Sequence, residues 1–188
     1  MPDRHFTTVE AERIVLRRFT MRDLPVFVAY RSDPDVARYQ GWEAPYPRAT
    51  GARMIRDLLR QHPDTPGQWF QFGIELRATG ELVGDCASGT DLEDPRQAEV
   101  GFTLRPDFQG RGYATEAARA LLGYLFGARA KHRVTARCDP RNTASVGVLG
   151  RLGMRREGHL LESTWAKGEW TDDLLFAILE HEWRAGTP

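Results

Sequence analysis

The sequence is poor in cysteine, lacks long apolar runs and carries no excess charge of either sign. Cys86 and Cys138 are its two cysteines, too few for a disulfide framework or a zinc site, so we expect reduced thiols. The 26 basic and 26 acidic residues cancel, which argues against a broad nucleic-acid or membrane-binding surface. No run reaches the roughly 18 apolar residues of a membrane span, and Met1–His5 starts no signal peptide. These absences predict a soluble, cytoplasmic protein without a metal site.

The length and periodicity of the chain indicate one α/β domain. A chain of 188 residues can bury a substantial core, and no repeat or linker divides it, so residues 1–188 are expected to form a single domain. Strand-like segments lie at 14–19, 69–76, 81–87, 99–104, 133–138, 154–161 and 171–179, and helical spacing marks 20–30, 49–62, 114–126 and 142–152. Strands alternating with helices between flanking hairpins predict a mixed, mostly antiparallel sheet.

The most informative segment is the glycine-rich run Gln109-Gly110-Arg111-Gly112-Tyr113-Ala114, between a strand-like and a helical segment. Two glycines allow a tight turn whose N–H groups point into one concavity. The following helix N-terminus adds about half a positive charge, so the run predicts a phosphate site that Arg111 can close. An ordinary strand-to-helix connection is the alternative. A Rossmann site fits poorly, because Thr115 replaces the third glycine.

About thirty residues later a second motif runs from Asn142 through Ser145 to Leu152-Gly153-Met154. Together the two motifs resemble the GCN5-related N-acetyltransferase (GNAT) superfamily, whose shared pattern is Gln/Arg-x-x-Gly-x-Gly/Ala. More narrowly, the chain is similar to the RimJ/RimL-type branch. Further matching segments in family order are 12–17, 32–34, 80–84 and 168–173.

The resemblance implies a GNAT-type central sheet, flanked by helices, in which two neighbouring strands splay apart to admit acetyl-CoA as co-substrate. The implied cofactor-binding residues are Phe102, Thr103, Leu104, Gln109, Gly110, Arg111, Gly112, Tyr113, Ala114, Thr115, Asn142, Ser145 and Arg151. For residues 102–104 a buried core strand is the alternative. For Asn142 it is a helix cap, which is compatible with cofactor contact.

Direct transfer requires a neutral amine. An α-amine is roughly a quarter neutral near pH 7.4, against about a thousandth for lysine, so a water-relayed carboxylate suffices as base. Glu99 is the predicted base and Glu162 the reserve, although either could be a strand-end carboxylate in an ion pair. The resemblance implies that Ser145 protonates the departing CoA thiolate. A solvated hydroxyl is the alternative for Ser145, and Tyr113 is a fallback acid.

The aromatic segment 39–46 is predicted to wall the substrate site, with Trp165 and Trp170. Tyr39, Trp42 and Glu162 are its predicted substrate-binding residues, and packing into the core is the alternative for the aromatic side chains.

The resemblance implies an acetyl-CoA-dependent N-acetyltransferase that acts by direct attack of a primary amine, first a protein or peptide N-terminal amine. The alternatives are an acetyltransferase of a small amine such as an aminoglycoside, or a non-catalytic acyl-CoA-binding sensor. The resemblance allows a homodimer. Nucleic-acid and membrane partners are not expected.

Overall fold

The structure, a computed structural model, describes residue 6 and residues 8–186, and residues 1–5, where no signal peptide is predicted, lie outside them. The strands are β1 (Thr8–Glu10), β2 (Ile14–Arg17), β3 (Trp69–Leu76), β4 (Leu82–Thr90), β5 (Gln97–Leu104), β6 (Arg133–Cys138), β7 (Arg155–Ala166) and β8 (Glu169–Leu179). The helices are α1 (Leu24–Arg31), α2 (Pro34–Ala37), α3 (Arg48–Leu58), α4 (Tyr113–Gly127), α5 (Thr143–Arg151) and α6 (Glu180–Gly186).

One eight-stranded sheet has the order β1-β2-β3-β4-β5-β6-β8-β7. Its neighbouring strands are antiparallel except for β5 and β6, which are parallel. The parallel pairing covers 97–99 of β5 and 133–135 of β6 and then stops. The predicted mixed, mostly antiparallel sheet with two splayed central strands is therefore confirmed.

Helices cover both faces of the sheet. Tyr124 of α4 makes a ring contact with Phe72 on β3, whereas Tyr30 of α1 donates a hydrogen bond to Asp85, which pairs with Gly73. Because adjacent strand residues point to opposite faces, α4 and α1 lie on opposite sides. We call these sides the α4 face and the α1 face.

Side-chain caps mark the start of two helical segments. Thr20 and Asp23 form a capping box ahead of α1, and the Asn142 side chain accepts a hydrogen bond from the Ser145 N–H at 3.1 Å. Gly153 has a φ of 78° just beyond α5, the left-handed conformation that favours glycine at a helix C-terminus. Local sequence therefore determines how the second motif folds.

A buried polar cluster attaches α1 and the chain after it to the sheet. Asp85 is 2% exposed and accepts hydrogen bonds from Tyr30 and from Arg31, the latter at 3.4 Å. The Arg31 guanidinium also donates to Gln71 at 2.9 Å and lies 3.9 Å from the Trp42 ring centroid. Desolvation, reinforced by the Asp85 charge, raises the pKa of Tyr30 well above its usual value, so Tyr30 stays a hydrogen-bond donor.

Several elements differ from the sequence prediction. Strand β1 and helix α6 were not predicted, and β7 and β8 extend beyond 154–161 and 171–179. Strand β1 has three residues, too few to show a period, and most of β7 is exposed, so its apolar residues do not alternate. Helix α3 ends at Leu58, earlier than the predicted 49–62. Its Ile55 and Leu58 are buried, and its Met54 is half-buried. No helix within 8–186 is long and apolar enough to cross a membrane.

Candidate active site

The site begins at the gap between β5 and β6, which we call the seam. Pairing between these strands ends at Glu99 and Thr135, while β5 remains paired with β4 as far as Leu104. Residues 100–104 of β5 therefore have a strand neighbour on one side only. An edge of this kind presents backbone N–H and C=O groups that an extended ligand can use.

The direction of these backbone groups follows from a hydrogen bond just past β5. The Arg105 N–H donates to the Val83 carbonyl at 2.9 Å, so the backbone N–H of Arg105 points toward β4. Since backbone groups alternate along a strand, those of Phe102 and Leu104 point into the seam. The Gln109 side chain occupies part of this edge, because its Nε2 donates to the Leu104 carbonyl at 3.1 Å. The Phe102 N–H and C=O and the Leu104 N–H thus face the gap.

The glycine-rich turn leads from this edge to the N-terminus of α4. Gly110 and Gly112 have φ values of 73° and 84°, which favour glycine because a Cβ is strained there. The Glu116 N–H bonds to the Gly112 carbonyl at 3.0 Å, so the N–H groups ahead of Glu116 lack intrahelical acceptors. A Cβ built on Gly110 would meet no atom within 4 Å. The turn therefore leaves an open concavity in front of N–H donors.

The seam and the turn open into one cleft of about 690 Å³. Eleven of the thirteen predicted cofactor-binding residues line it: Phe102, Thr103, Leu104, Gln109, Gly110, Gly112, Ala114, Thr115, Asn142, Ser145 and Arg151. The two motifs, about thirty residues apart in sequence, thus form the walls of a single cavity.

Arg111 and Tyr113, the other two predicted residues, do not line this cleft. The Arg111 guanidinium lies 5.5 Å from the Phe108 ring centroid, and the Arg13 guanidinium lies 4.6 Å from the Tyr113 ring centroid. Arg13 also donates to the Arg111 carbonyl at 3.1 Å and to Glu116 at 2.7 Å. Sequence analysis missed this bracing role of Arg13, although Arg13 lies in a segment that carries the family resemblance.

Helix α5 contributes a hydroxyl and a cation. Ser145 is half-buried and lines both the large cleft and a smaller cavity of about 90 Å³ between β5 and β6. Arg151 lines the large cleft, with its Nε 3.3 Å from the Thr115 Oγ1 in the first turn of α4. A positive side chain and a helix N-terminus therefore lie together at one end of the cleft, a combination suited to phosphate.

Glu99 lies where the seam begins, outside the large cleft. Its side chain is 35% exposed, and its Oε2 lies 4.0 Å from the Arg137 guanidinium. Desolvation raises the pKa of Glu99, an effect that the Asp173 charge reinforces and Arg137 opposes. Arg137 and Gly101 line the small cavity in the seam, so Glu99 adjoins it. Glu162 is exposed on β7, and its N–H bonds to Asp172 at 2.8 Å; it lines neither cavity.

The predicted substrate-wall residues are separated in the structure. Tyr39 lines both cavities. Trp42 instead packs beside the buried polar cluster, and its Nε1 donates to the Arg31 carbonyl at 3.0 Å. Trp165 and Trp170 are 61% and 57% exposed near the β7–β8 turn, with ring centroids 5.4 Å apart.

Both cysteines are free thiols. Cys138 lines the small cavity, and burial raises its pKa to about 11, so it is a protonated thiol at neutral pH. Cys86 is fully buried, and desolvation raises its pKa further. Neither thiol has the lowered pKa of a nucleophile.

Comparison with known proteins identifies the family. A family model described as an acetyltransferase (GNAT) domain matches residues 13–155. The chain is 32% identical over 180 residues to the uncharacterized N-acetyltransferase p20 of Bacillus licheniformis, covering 94% of this chain and 98% of that protein. It is 28% identical over 144 residues to the ribosomal protein uS5-alanine N-acetyltransferase of Escherichia coli (strain K12), covering 75% and 72%.

Solved structures share the fold. An acetyltransferase of the GNAT family from Bacillus anthracis has a TM-score of 0.84 at 31% identity, covering 94% of this chain and 100% of that one. The RimJ of Mycobacterium smegmatis, in complex with CoA-disulfide, has a TM-score of 0.77 at 28% identity, covering 92% and 88%. The seam, the glycine-rich turn and these matches agree, and the chain belongs to the GNAT acetyltransferase family, among whose members are ribosomal-protein N-acetyltransferases.

Proposed function

We propose that the chain is an acetyl-CoA-dependent N-acetyltransferase in which a primary amine attacks the thioester directly. The observation that carries this proposal is the continuity of the 690 Å³ cleft from the N-terminus of α4 to the seam. It joins a phosphate-binding turn to an unpaired strand edge, as a ligand with a pyrophosphate and an amide-bearing arm requires. We also infer that residues 1–188 act as one domain, since residues of both motifs line one cleft.

The residues present fit acetyl-CoA. The N–H groups at the start of α4, together with Arg151, would hold the pyrophosphate. The Phe102 backbone and the Leu104 N–H would pair with the amides of the pantetheine arm, as a neighbouring strand would. Asn142 adds its side-chain amide beside the arm while its Oδ1 caps α5. The CoA-bound RimJ structure, 28% identical to this chain, supports the same ligand class.

Acetyl-CoA supplies an acyl group on a good leaving group, and the chain supplies positioning and proton transfer. The amine nitrogen forms a bond to the acyl carbon while the carbon–sulfur bond breaks. A backbone N–H facing the seam would polarise the acyl oxygen. Ser145 would give a proton to the departing thiolate, and Glu99 would take the proton of the amine through water. Proton exchange with water would then return Ser145 to the hydroxyl and Glu99 to the carboxylate. The raised pKa of Glu99 moves it toward the range useful for a base.

We propose a protein or peptide N-terminal amine as the acceptor. An α-amine near pKa 7.8 is already roughly a quarter neutral at pH 7.4, so a half-exposed carboxylate such as Glu99 suffices as base. The Escherichia coli relative is named a ribosomal protein uS5-alanine N-acetyltransferase. Alanine has no side-chain amine, so this name supports an α-amine as the acceptor.

Thiol release from acetyl-CoA tests the proposal, with N-terminal peptides, aminoglycosides, polyamines and free amino acids as acceptors and a reaction without acceptor as control. We expect acceptor-dependent release that is fastest with peptides. Thiol release with a small amine but with no peptide would show that the acceptor is a small amine and not an N-terminal amine. Tight acetyl-CoA binding with no release from any acceptor would favour a binding module. Absence of acetyl-CoA binding would refute the assignment of the cleft.

A further inference from the structure

A second cleft, of about 280 Å³, lies beside the seam and has no role in the chemistry above. Across strands β3, β4, β5 and β6, the residues Trp69, Gly89, Glu99 and Thr135 are register partners and line this cleft. Register partners project from the same face of a sheet, and Glu99 lies two residues from Gly101 and four from Thr103, the partner of Asp85. The cleft is therefore on the α1 face. We call it the Trp69 cleft.

An aromatic surface forms one end of the Trp69 cleft. A Cβ built on Gly89 would lie 2.7 Å from Cε2 and 2.8 Å from Cδ2 of Trp69, so the indole covers the glycine and any side chain there would displace it. Trp69 remains 48% exposed. An indole held in place with much of its surface exposed is the preferred aromatic partner of a cation.

The charges in the Trp69 cleft have one sign. Glu99 and Asp91 are its charged lining residues among those the structure describes, and both are carboxylates. Arg137, whose Nε lies 4.0 Å from the Glu99 Oε2, lines the small cavity and not the Trp69 cleft. A cleft with an indole at one end and carboxylates along its wall favours a positively charged group over a neutral or anionic one.

A buried lysine fixes the rim of this cleft. Lys131 is 1% exposed, and its Nζ lies 2.5 Å from Asp64 Oδ1, 3.2 Å from Thr90 Oγ1 and 2.5 Å from the Pro95 carbonyl. The Gly67 N–H also bonds to the Thr90 carbonyl at 2.8 Å. These contacts join the segment before β3 to the end of β4 and to the loop between β4 and β5. Such preorganisation lowers the entropic cost of binding.

We propose that the Trp69 cleft binds a second positive charge on the acceptor, so that the enzyme prefers acceptors with a cation away from the amine that is acetylated. The inference rests on the proposed function, because Glu99 belongs to both sites. The cation would lie on Trp69 and the reacting amine beside Glu99. These residues are two strands apart, so the two acceptor nitrogens would be separated by roughly 10 Å. A lysine or arginine near the N-terminus of a peptide, or the far amine of a polyamine, has this chemistry.

Paired acceptors test the inference. Peptides that differ only in lysine or its neutral analogue norleucine at the second position are compared by kcat/KM, and a series of linear diamines is compared with the matching monoamines. We expect the wild-type protein to prefer the charged member by about 3- to 30-fold, the range of a cation–π contact. Trp69→Leu should abolish that preference and Trp69→Phe should keep most of it, with acetyl-CoA affinity unchanged in both.

Leu59→Ala is the matched control, since Leu59 is 47% exposed just after α3 and lines none of the three cavities. It should keep the wild-type preference. A preference among peptides alone or among diamines alone supports the inference and identifies the source of the cation. Equal kcat/KM for charged and neutral acceptors, or a preference that survives Trp69→Leu, overturns it while leaving the proposed function intact. Failure of every acceptor to release thiol overturns both.

Discussion

Replacing Gly112 by alanine should weaken acetyl-CoA binding by about 10- to 100-fold while the protein still folds. Gly112 has a φ of 84°, a conformation that costs a residue with a Cβ roughly 1–2 kcal/mol. The new Cβ would also lie 3.3 Å from an Arg13 nitrogen, on the side braced by Glu116. We expect the turn to relieve this strain by rotating the first N–H groups of α4, so that they no longer point at the pyrophosphate.

The expected size follows from the hydrogen bonds at stake. A hydrogen bond to a charged group contributes about 1.5–3 kcal/mol, and each 1.4 kcal/mol changes affinity about tenfold. Loss of one N–H to the pyrophosphate therefore accounts for the predicted weakening. The free energy of unfolding should fall by about 1–2 kcal/mol, the cost of a left-handed conformation for a residue with a Cβ.

Gly80→Ala is the control for backbone strain. Gly80 has a φ of 71° between β3 and β4, and a Cβ there would meet nothing within 4 Å. It should lose similar stability and keep full affinity. Titration calorimetry with acetyl-CoA and urea unfolding of both variants separate the two effects. Wild-type affinity in Gly112→Ala, or equal weakening in Gly80→Ala, would refute the assignment of the turn as the pyrophosphate site.

Three further changes test other parts of the site. Burial raises the pKa of Glu99. As the pH is lowered, activity should therefore begin to fall at a higher pH than it would with an exposed glutamate as base. Glu99→Gln should remove that acidic limb from the profile of kcat at saturating acceptor, which is measured because kcat/KM also follows the titration of the free acceptor amine. An unchanged kcat profile would exclude Glu99 as base. Ser145→Ala should lower kcat by about 100-fold without changing the acetyl-CoA Kd, and a normal kcat would remove Ser145 from proton transfer. Asp85→Ala leaves the buried Arg31 charge without its carboxylate, so urea unfolding should show a loss of about 3–5 kcal/mol, and a loss below about 1 kcal/mol, the range of an exposed pair, would contradict that role.

Sequence patterns predicted the structure best where a short segment obeys a local rule. The strands Trp69–Leu76 and Arg133–Cys138 agree with their predicted bounds residue for residue. Asn142 caps α5 because its side chain bonds to an N–H three residues on. In the same way, the two left-handed glycines mark the turn before α4.

Features that depend on distant partners could not be predicted from one sequence. The spacing of Arg111 and Tyr113 places both in the turn, but contacts with Phe108 and Arg13 direct them away from the cleft. Trp42 lies in the predicted aromatic wall, yet Arg31 draws it to the sheet. The Trp69 cleft requires four strands in register, information that no local pattern holds.

The seam also divides the polypeptide into two consecutive parts. Strands β1 to β5 pair among themselves, as do β6, β8 and β7, and within the described sheet the parts share three residue pairs. A ligand lying in the gap would touch the first part through Phe102 and the second through Asn142. Its binding free energy would therefore add to the cohesion of the two parts. Acetyl-CoA should then slow amide exchange on both sides of the gap together, as an inserted strand would.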